Sequence, residues 1–195
     1  MNSRLRIAGA ILYIGLIGTV VAVHAAAGVQ KPPFTQVAAR PTTLTDSTLT
    51  AADRTVTKGT VSSDKKTLSF SQKKTVRLVV HTGPESDMLS FRVNGLRNPT
   101  ISIRHGVALR VLFVNNDGDM FHNIRFGAKP RAFENTADSL LKTSVGTAPL
   151  AHVDGRTIHG TEMIIKVPNH AGKYAYFCTV RGHANGGMWG TIQIR

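Results

Sequence analysis

Residues 174–195 read YAYFCTVRGHANGGMWGTIQIR. A strand-like run, Lys173–Cys178, enters a loop, and a second, Trp189–Ile194, leaves it. Gly182, Gly186, Gly187 and Gly190 stud the loop, and glycine lets a backbone turn where a side chain would collide. Cys178, His183 and Met188 follow one another at intervals of five. Upstream, DGDMFHNIRF (residues 117–126) places His122 at the start of another strand-like run, Asn123–Phe126.

The same short alternation fills the chain back to about residue 59. Val76, Leu78 and Val80 alternate with Arg77, Val79 and His81. Ile101 and Ile103 alternate with Thr100, Ser102 and Arg104, and Leu109, Val111 and Phe113 form a further row. Met163–Val167 is another candidate strand, whereas Glu134–Ser144 reads as a short helix or a long loop. Period-2 runs separated by Gly, Asn and Asp predict an all-β, antiparallel Greek-key sandwich or barrel. Such folds gather loops at their two ends, where residues distant in sequence can meet.

Composition agrees. The chain has 195 residues, 42% hydrophobic and only 18% charged, with 18 Gly and 8 Pro, which suits one β-rich domain with a real core. There is one cysteine, so an internal disulfide is excluded. The net charge is +13, and setting aside Arg4 and Arg6 of the leader leaves +11. A field of that sign favours acidic partners. Lys and Arg are scattered rather than clustered with aromatics, which argues against nucleic acid.

Alone, each of Cys178, His122, His183 and Met188 is an ordinary core or surface residue. Together they are a soft thiolate, two imidazoles and a thioether, the donor set of a type 1 copper centre that carries single electrons. Three donors on one loop and a fourth on a distant strand would hold the ion in a frame that barely moves. His81, His105, His152, His159 and His170 have no partner at ligand spacing and are assigned to the surface, His152 and His159 in a loop. Met120 competes with Met188 for the axial position. Enzymatic copper centres need a His beside the Cys or His-x-His pairs. Cys178 lies between Phe177 and Thr179, and no such pair exists, so a non-enzymatic carrier is expected. The alternative is an extracytoplasmic copper-binding or storage protein without a redox-chain role.

From about Gly59 to Arg195 the chain resembles the cupredoxins, most closely their rusticyanin-like members. The resemblance is carried by GTVSSDKKTLSFS, NPTISI, the Asn-rich run before His122, and AGKYAYFCTVRGHANGGMWG. It implies a cupredoxin-type Greek-key β-sandwich with one buried copper held by His122, Cys178, His183 and Met188, and a place in a redox chain. One departure stands out. The rusticyanin-like members carry Ser after the first His, whereas Asn123 stands here, as in most other cupredoxins. In those relatives the Asn side chain ties the two ligand-bearing loops together.

At the N-terminus, Arg4 and Arg6 precede an apolar run, Ile7–Val23, followed by His24, Ala25, Ala26, Ala27 and Gly28. This is the order of a secretory signal, and the run is also long enough for a minimal membrane anchor. Either places the remainder in the periplasm or otherwise outside the cytoplasm. The reading is residues 1–27 as signal or tether, 28–58 as a linker or packed extension, and 59–195 as the copper domain. The domain is expected to act as a monomer, exchanging electrons with acidic redox proteins such as a cytochrome or an oxidase.

Overall fold

A computed structural model describes residues 31–130, 132–133 and 138–195. The apolar run Ile7–Val23 lies outside the described residues. Among them, no helix is long and apolar enough to cross a membrane.

The elements in chain order are β1 (Thr35–Leu44), α1 (Asp46–Asp53), β2 (Thr60–Val61), β3 (Thr67–Ser69), β4 (Thr75–Thr82), β5 (Phe91–Val93), β6 (Leu96–Arg97), β7 (Thr100–Ile103), β8 (Ala108–Asn115), β9 (Arg125–Ala128), α2 (Asp138–Lys142), β10 (Ser144–Gly146), β11 (Ile158–Lys166), β12 (Gly172–Phe177) and β13 (Trp189–Ile194). They form two sheets, one ordered β1-β11-β8-β4-β5-β6 and the other β10-β9-β12-β13-β7-β3-β2. Side chains predicted to alternate inward, including Val76, Leu78, Val80, Ile101, Ile103, Leu109, Val111 and Phe113, are buried between them. The sandwich is therefore the one the alternation predicts.

The pairing is mixed rather than purely antiparallel, since β4–β8, β7–β13 and β3–β7 run parallel. The chain leaves each sheet for the other before returning, and such a crossover is what parallel neighbours require. The β5–β6 hairpin turns on Asn94-Gly95, both at positive φ (48° and 77°), the backbone twist that a two-residue hairpin favours.

Residues 31–58 are not a free tether. Phe34 is 1% exposed and packs edge-on against Tyr174, ring centroids 5.3 Å apart, inside the core. β1 then pairs along β11 as the edge of the first sheet. Thr45 caps α1 through a reciprocal pair of bonds with Thr48. Leu49, Ala52 and Val56 then cover Val79, Leu112, Val114 and Ile158 on the outer face of that sheet. This explains why Val79, read from the alternation as an outward residue, is buried.

Two boundaries differ from expectation. β11 begins at Ile158, so His159 lies on a strand and not in a loop. The strand expected at Asn123 begins at Arg125 instead. The Ile124 amide donates to the Thr147 hydroxyl, and Asn123 turns its amide group to Thr179, so side chains replace the ladder there. Within 134–144, the described part holds α2 and then the start of β10 at Ser144.

Candidate metal centre

β12 and β13 deliver three of the predicted residues. Phe177 pairs with Trp189, and the Cys178 amide donates to the Met188 carbonyl at 3.1 Å, so the eleven-residue loop is closed at its base. Inside it, the His183 amide donates to Val180 O (3.1 Å) and the Met188 amide to His183 O (2.9 Å). Gly187 sits at φ 110°, a conformation other residues rarely adopt. The loop is also braced from outside, because Asn98 Nδ2 donates to Gly187 O at 2.9 Å and a Cβ on Gly186 would run into Leu89. His122 arrives from the β8–β9 connection, held by a two-way backbone bridge with Leu150.

These residues meet. His122 Nδ1 lies 3.1 Å from Met188 Sδ and 3.2 Å from His183 Nδ1, and Cys178 Sγ lies 3.6 Å from His183 Nδ1. All four are buried, three of them at 1% exposure or less, while His183 reaches 9%. Met188, not the competing Met120, gives the thioether beside His122. Among the described residues, His122, Cys178 and His183 are the one group of His, Cys or carboxylate side chains close enough to share a metal ion.

Two imidazole nitrogens this close in a dry pocket repel if both present lone pairs, and a shared cation removes the conflict. Nitrogen and thiolate ligands at about 2.0 and 2.3 Å from one ion stand about 3.3–3.6 Å apart at tetrahedral angles, close to the observed spacing. Two His, one Cys and a Met suit copper among such ions. The donor set fits one type 1 copper ion.

The protonation pattern points the same way. Burial pushes the Cys178 thiol up to about 11, against the backbone amides of Asn123 and Val180 that pull it down, so a cation must displace its proton. Burial, reinforced by the neighbouring His122, takes His183 down to about 4, leaving it neutral near pH 7. Burial also lowers His122, against the raising effect of Asp117.

The model of the sulfocyanin (SoxE) domain matches residues 62–195. The chain belongs to the sulfocyanin domain family. Rusticyanin of Acidithiobacillus ferrooxidans is 30% identical over 145 residues, covering 70% of this chain and 71% of that protein. Rusticyanin of Acidithiobacillus ferridurans matches to the same extent. Solved structures agree. Reduced rusticyanin superposes with a TM-score of 0.67 at 26% identity, over 80% of this chain and all of the other. A 2.1 Å structure of the copper protein rusticyanin gives 0.70 at 26%, over 80% and 98%. The molecule is thus a rusticyanin-like cupredoxin.

Other histidines stay out of the cupredoxin centre. His81 pairs with Asp53 at 2.8 Å, His170 with the Tyr174 hydroxyl at 2.9 Å, and His105 with Asn169 at 3.4 Å. His152 packs edge-on to Phe121. Two supporting residues escaped the sequence reading. Asn98 carries no signal beyond its place after a hairpin. Asp117, which contacts His122, was visible only as part of the turn-rich NNDGD run (residues 115–119).

Asn123 links the two ligand-bearing segments. Its Oδ1 accepts the Thr179 amide at 2.7 Å and its Nδ2 donates to the Thr179 hydroxyl at 2.7 Å. Asn123→Ser removes both side-chain links to Thr179 and places a hydroxyl, which can donate, on a residue whose backbone amide already reaches the Cys178 sulfur. Hydrogen bonds to a ligand sulfur withdraw density and favour the reduced ion. Voltammetry should show a higher potential in this variant, and an unchanged value refutes the argument.

The hairpin that braces the loop is pinned by Asp87, which accepts from Arg97 Nε (2.7 Å) and Nη2 (2.9 Å) and from Arg92 (2.6 Å). The Arg97 bond, against partial burial and with help from Ser90, holds this carboxyl below its ordinary 3.8. A carboxyl depressed on folding stabilises the protein above its unfolded pKa, and that contribution fades as pH falls through the folded value. Asp87→Asn should therefore melt lower than wild type at pH 7, with the gap closing as the pH falls through the lowered folded value of this carboxyl. A gap that persists at low pH contradicts this.

Proposed function

We propose that this chain is a mononuclear type 1 copper protein, its ion held by His122, Cys178, His183 and Met188, that carries single electrons between redox partners outside the cytoplasm. The observation that carries the reading is the convergence of both Nδ1 atoms, the Cys178 sulfur and the Met188 sulfur at one buried end of the sandwich. Bound copper would supply a one-electron couple, taking an electron from a donor and yielding it to an acceptor. The protein's part is to keep four donors fixed and dry, so that little rearranges when the charge changes.

His183 is the ligand nearest the surface, and Val180, Gly186 and Gly187 beside it are apolar or bare backbone, whereas Ala184, expected in the same patch, is buried against Ala175 and Phe177. Such a patch suits brief, close docking by a small redox partner. The excess of Lys and Arg would steer an acidic cytochrome or oxidase toward it. Transfer rates should fall as salt rises, and a flat profile would remove the steering. The extracytoplasmic setting is supported by the basic-then-apolar start of the sequence.

Loading the purified chain with Cu(II) tests the reading. An intense thiolate-to-copper charge-transfer band with narrow EPR hyperfine splitting is expected. A pale complex with wide splitting excludes a type 1 site.

A further inference from the structure

Asp117 spends its two oxygens differently. Oδ1 accepts the amides of Asp119 (2.7 Å) and Met120 (2.8 Å), while Oδ2 lies 3.1 Å from His122 Nε2. The carboxylate is buried at 6% exposure and the imidazole at 0%. Its position does not depend on the imidazole. The Asp117 amide donates to Asn115 Oδ1 (3.2 Å), and its carbonyl accepts the Val153 amide (2.8 Å). Asn115 Nδ2 ties the same loop down through the carbonyls of Met120, Leu150 and Ala151.

A carboxylate only accepts, so Nε2 must be the donor in this contact. The lone pair then sits on Nδ1, the atom that faces Met188 and His183. The ring of His183 makes its bonds through Nδ1, with no carboxylate behind it among the described residues. The two imidazoles are therefore unequal.

We propose that Asp117 is a positioning residue that locks His122 in the Nε2–H form and lowers the reduction potential of the centre. A histidine that donates to a carboxylate is a more basic ligand. A fixed negative charge in a dry site also favours the doubly over the singly charged ion. The effect on the potential rests on the copper reading above, whereas the locking of the ring does not.

Asp117→Asn keeps an oxygen for the two loop amides but turns a donor toward Nε2–H. Asp117→Ser removes the charge in a smaller side chain. Asp119→Asn, two residues away and exposed, loses the same charge without touching His122. Voltammetry on the copper-loaded proteins should place both Asp117 variants higher than wild type by a tenfold or greater change in the Cu(II)/Cu(I) affinity ratio, about 59 mV. Asp119→Asn should move far less. In the metal-free wild type, ring ¹⁵N spectra should show His122 protonated at Nε2 and bare at Nδ1, a preference lost in the Asp117 variants.

Potentials of the Asp117 variants within the Asp119→Asn shift overturn the proposal, as does a metal-free wild type with the proton on Nδ1. If neither Asp117 variant folds, the wild-type spectrum decides. If the wild type forms no blue centre, the copper reading falls, and that same spectrum still decides whether Asp117 locks the ring.

Discussion

Cys178→Ser should fold, and it should bind Cu(II) without turning blue. The colour of such a centre arises from charge transfer out of a soft sulfur, and a hydroxyl is a hard, protonated donor that supplies none. Two imidazoles and Met188 remain, so some Cu(II) should still bind, weakly and with wide hyperfine splitting. The fold should survive because the change is small. A hydroxyl placed at a site 1% exposed costs about 1–3 kcal/mol if left without a partner, against a typical total stability of about 5–15 kcal/mol. Circular dichroism would report the fold and absorption the colour. A blue Ser variant would remove Cys178 from the centre and the ligand assignment with it.

Deleting residues 31–57 should cause the largest loss of stability. The deletion takes out Phe34, buried between the sheets, and bares Val79, Leu112, Val114 and Ile158 on the outer face. Each side chain of this kind contributes about 1.5–3 kcal/mol when fully buried. At about 2–4 °C per kcal/mol for a domain of this size, the melting temperature should drop by more than about 10 °C. The deletion also leaves β11 as an unprotected edge, so concentration-dependent aggregation should follow. Below the melting transition the absorption band should keep its position, since none of the four donors lies in the deleted segment. A truncated protein as stable as the full chain would mean that β1 and α1 are not seated as described.

Most of the sandwich was legible because its central strands alternate cleanly. Rows such as Val76-Leu78-Val80 and Leu109-Val111-Phe113 point inward at every second position, and period 2 shows it although Val79, Leu112 and Val114 are apolar on the other face. The N-terminal extension was not legible as structure. β1 is mostly exposed and carries Pro41, so it lacks the apolar rhythm of a buried strand, and α1 has no buried residue. The β5–β6 hairpin was missed although Asn94-Gly95 signals it, because strands of three and two residues are too short to show a period.

The candidate centre was legible for a different reason. Three of its donors lie within one loop, and the chemistry of Cys, His and Met in sequence is unusual enough to stand out. What surrounds them was not, because Asp117, Asn98 and Thr179 act through contacts made only once the ends of the sandwich come together.

The clamp between Cys178 and Met188 makes the loop a cassette closed at its base, with outside anchors at Thr179, Gly186 and Gly187. Its two ends leave on neighbouring antiparallel strands, joined at Phe177–Trp189, so apart from those anchors the scaffold senses their separation and direction. Loops of other lengths could be grafted onto the same pair of strands without disturbing the sheets. The optical and redox character of the centre should then travel largely with the graft, while the melting temperature stays with the host.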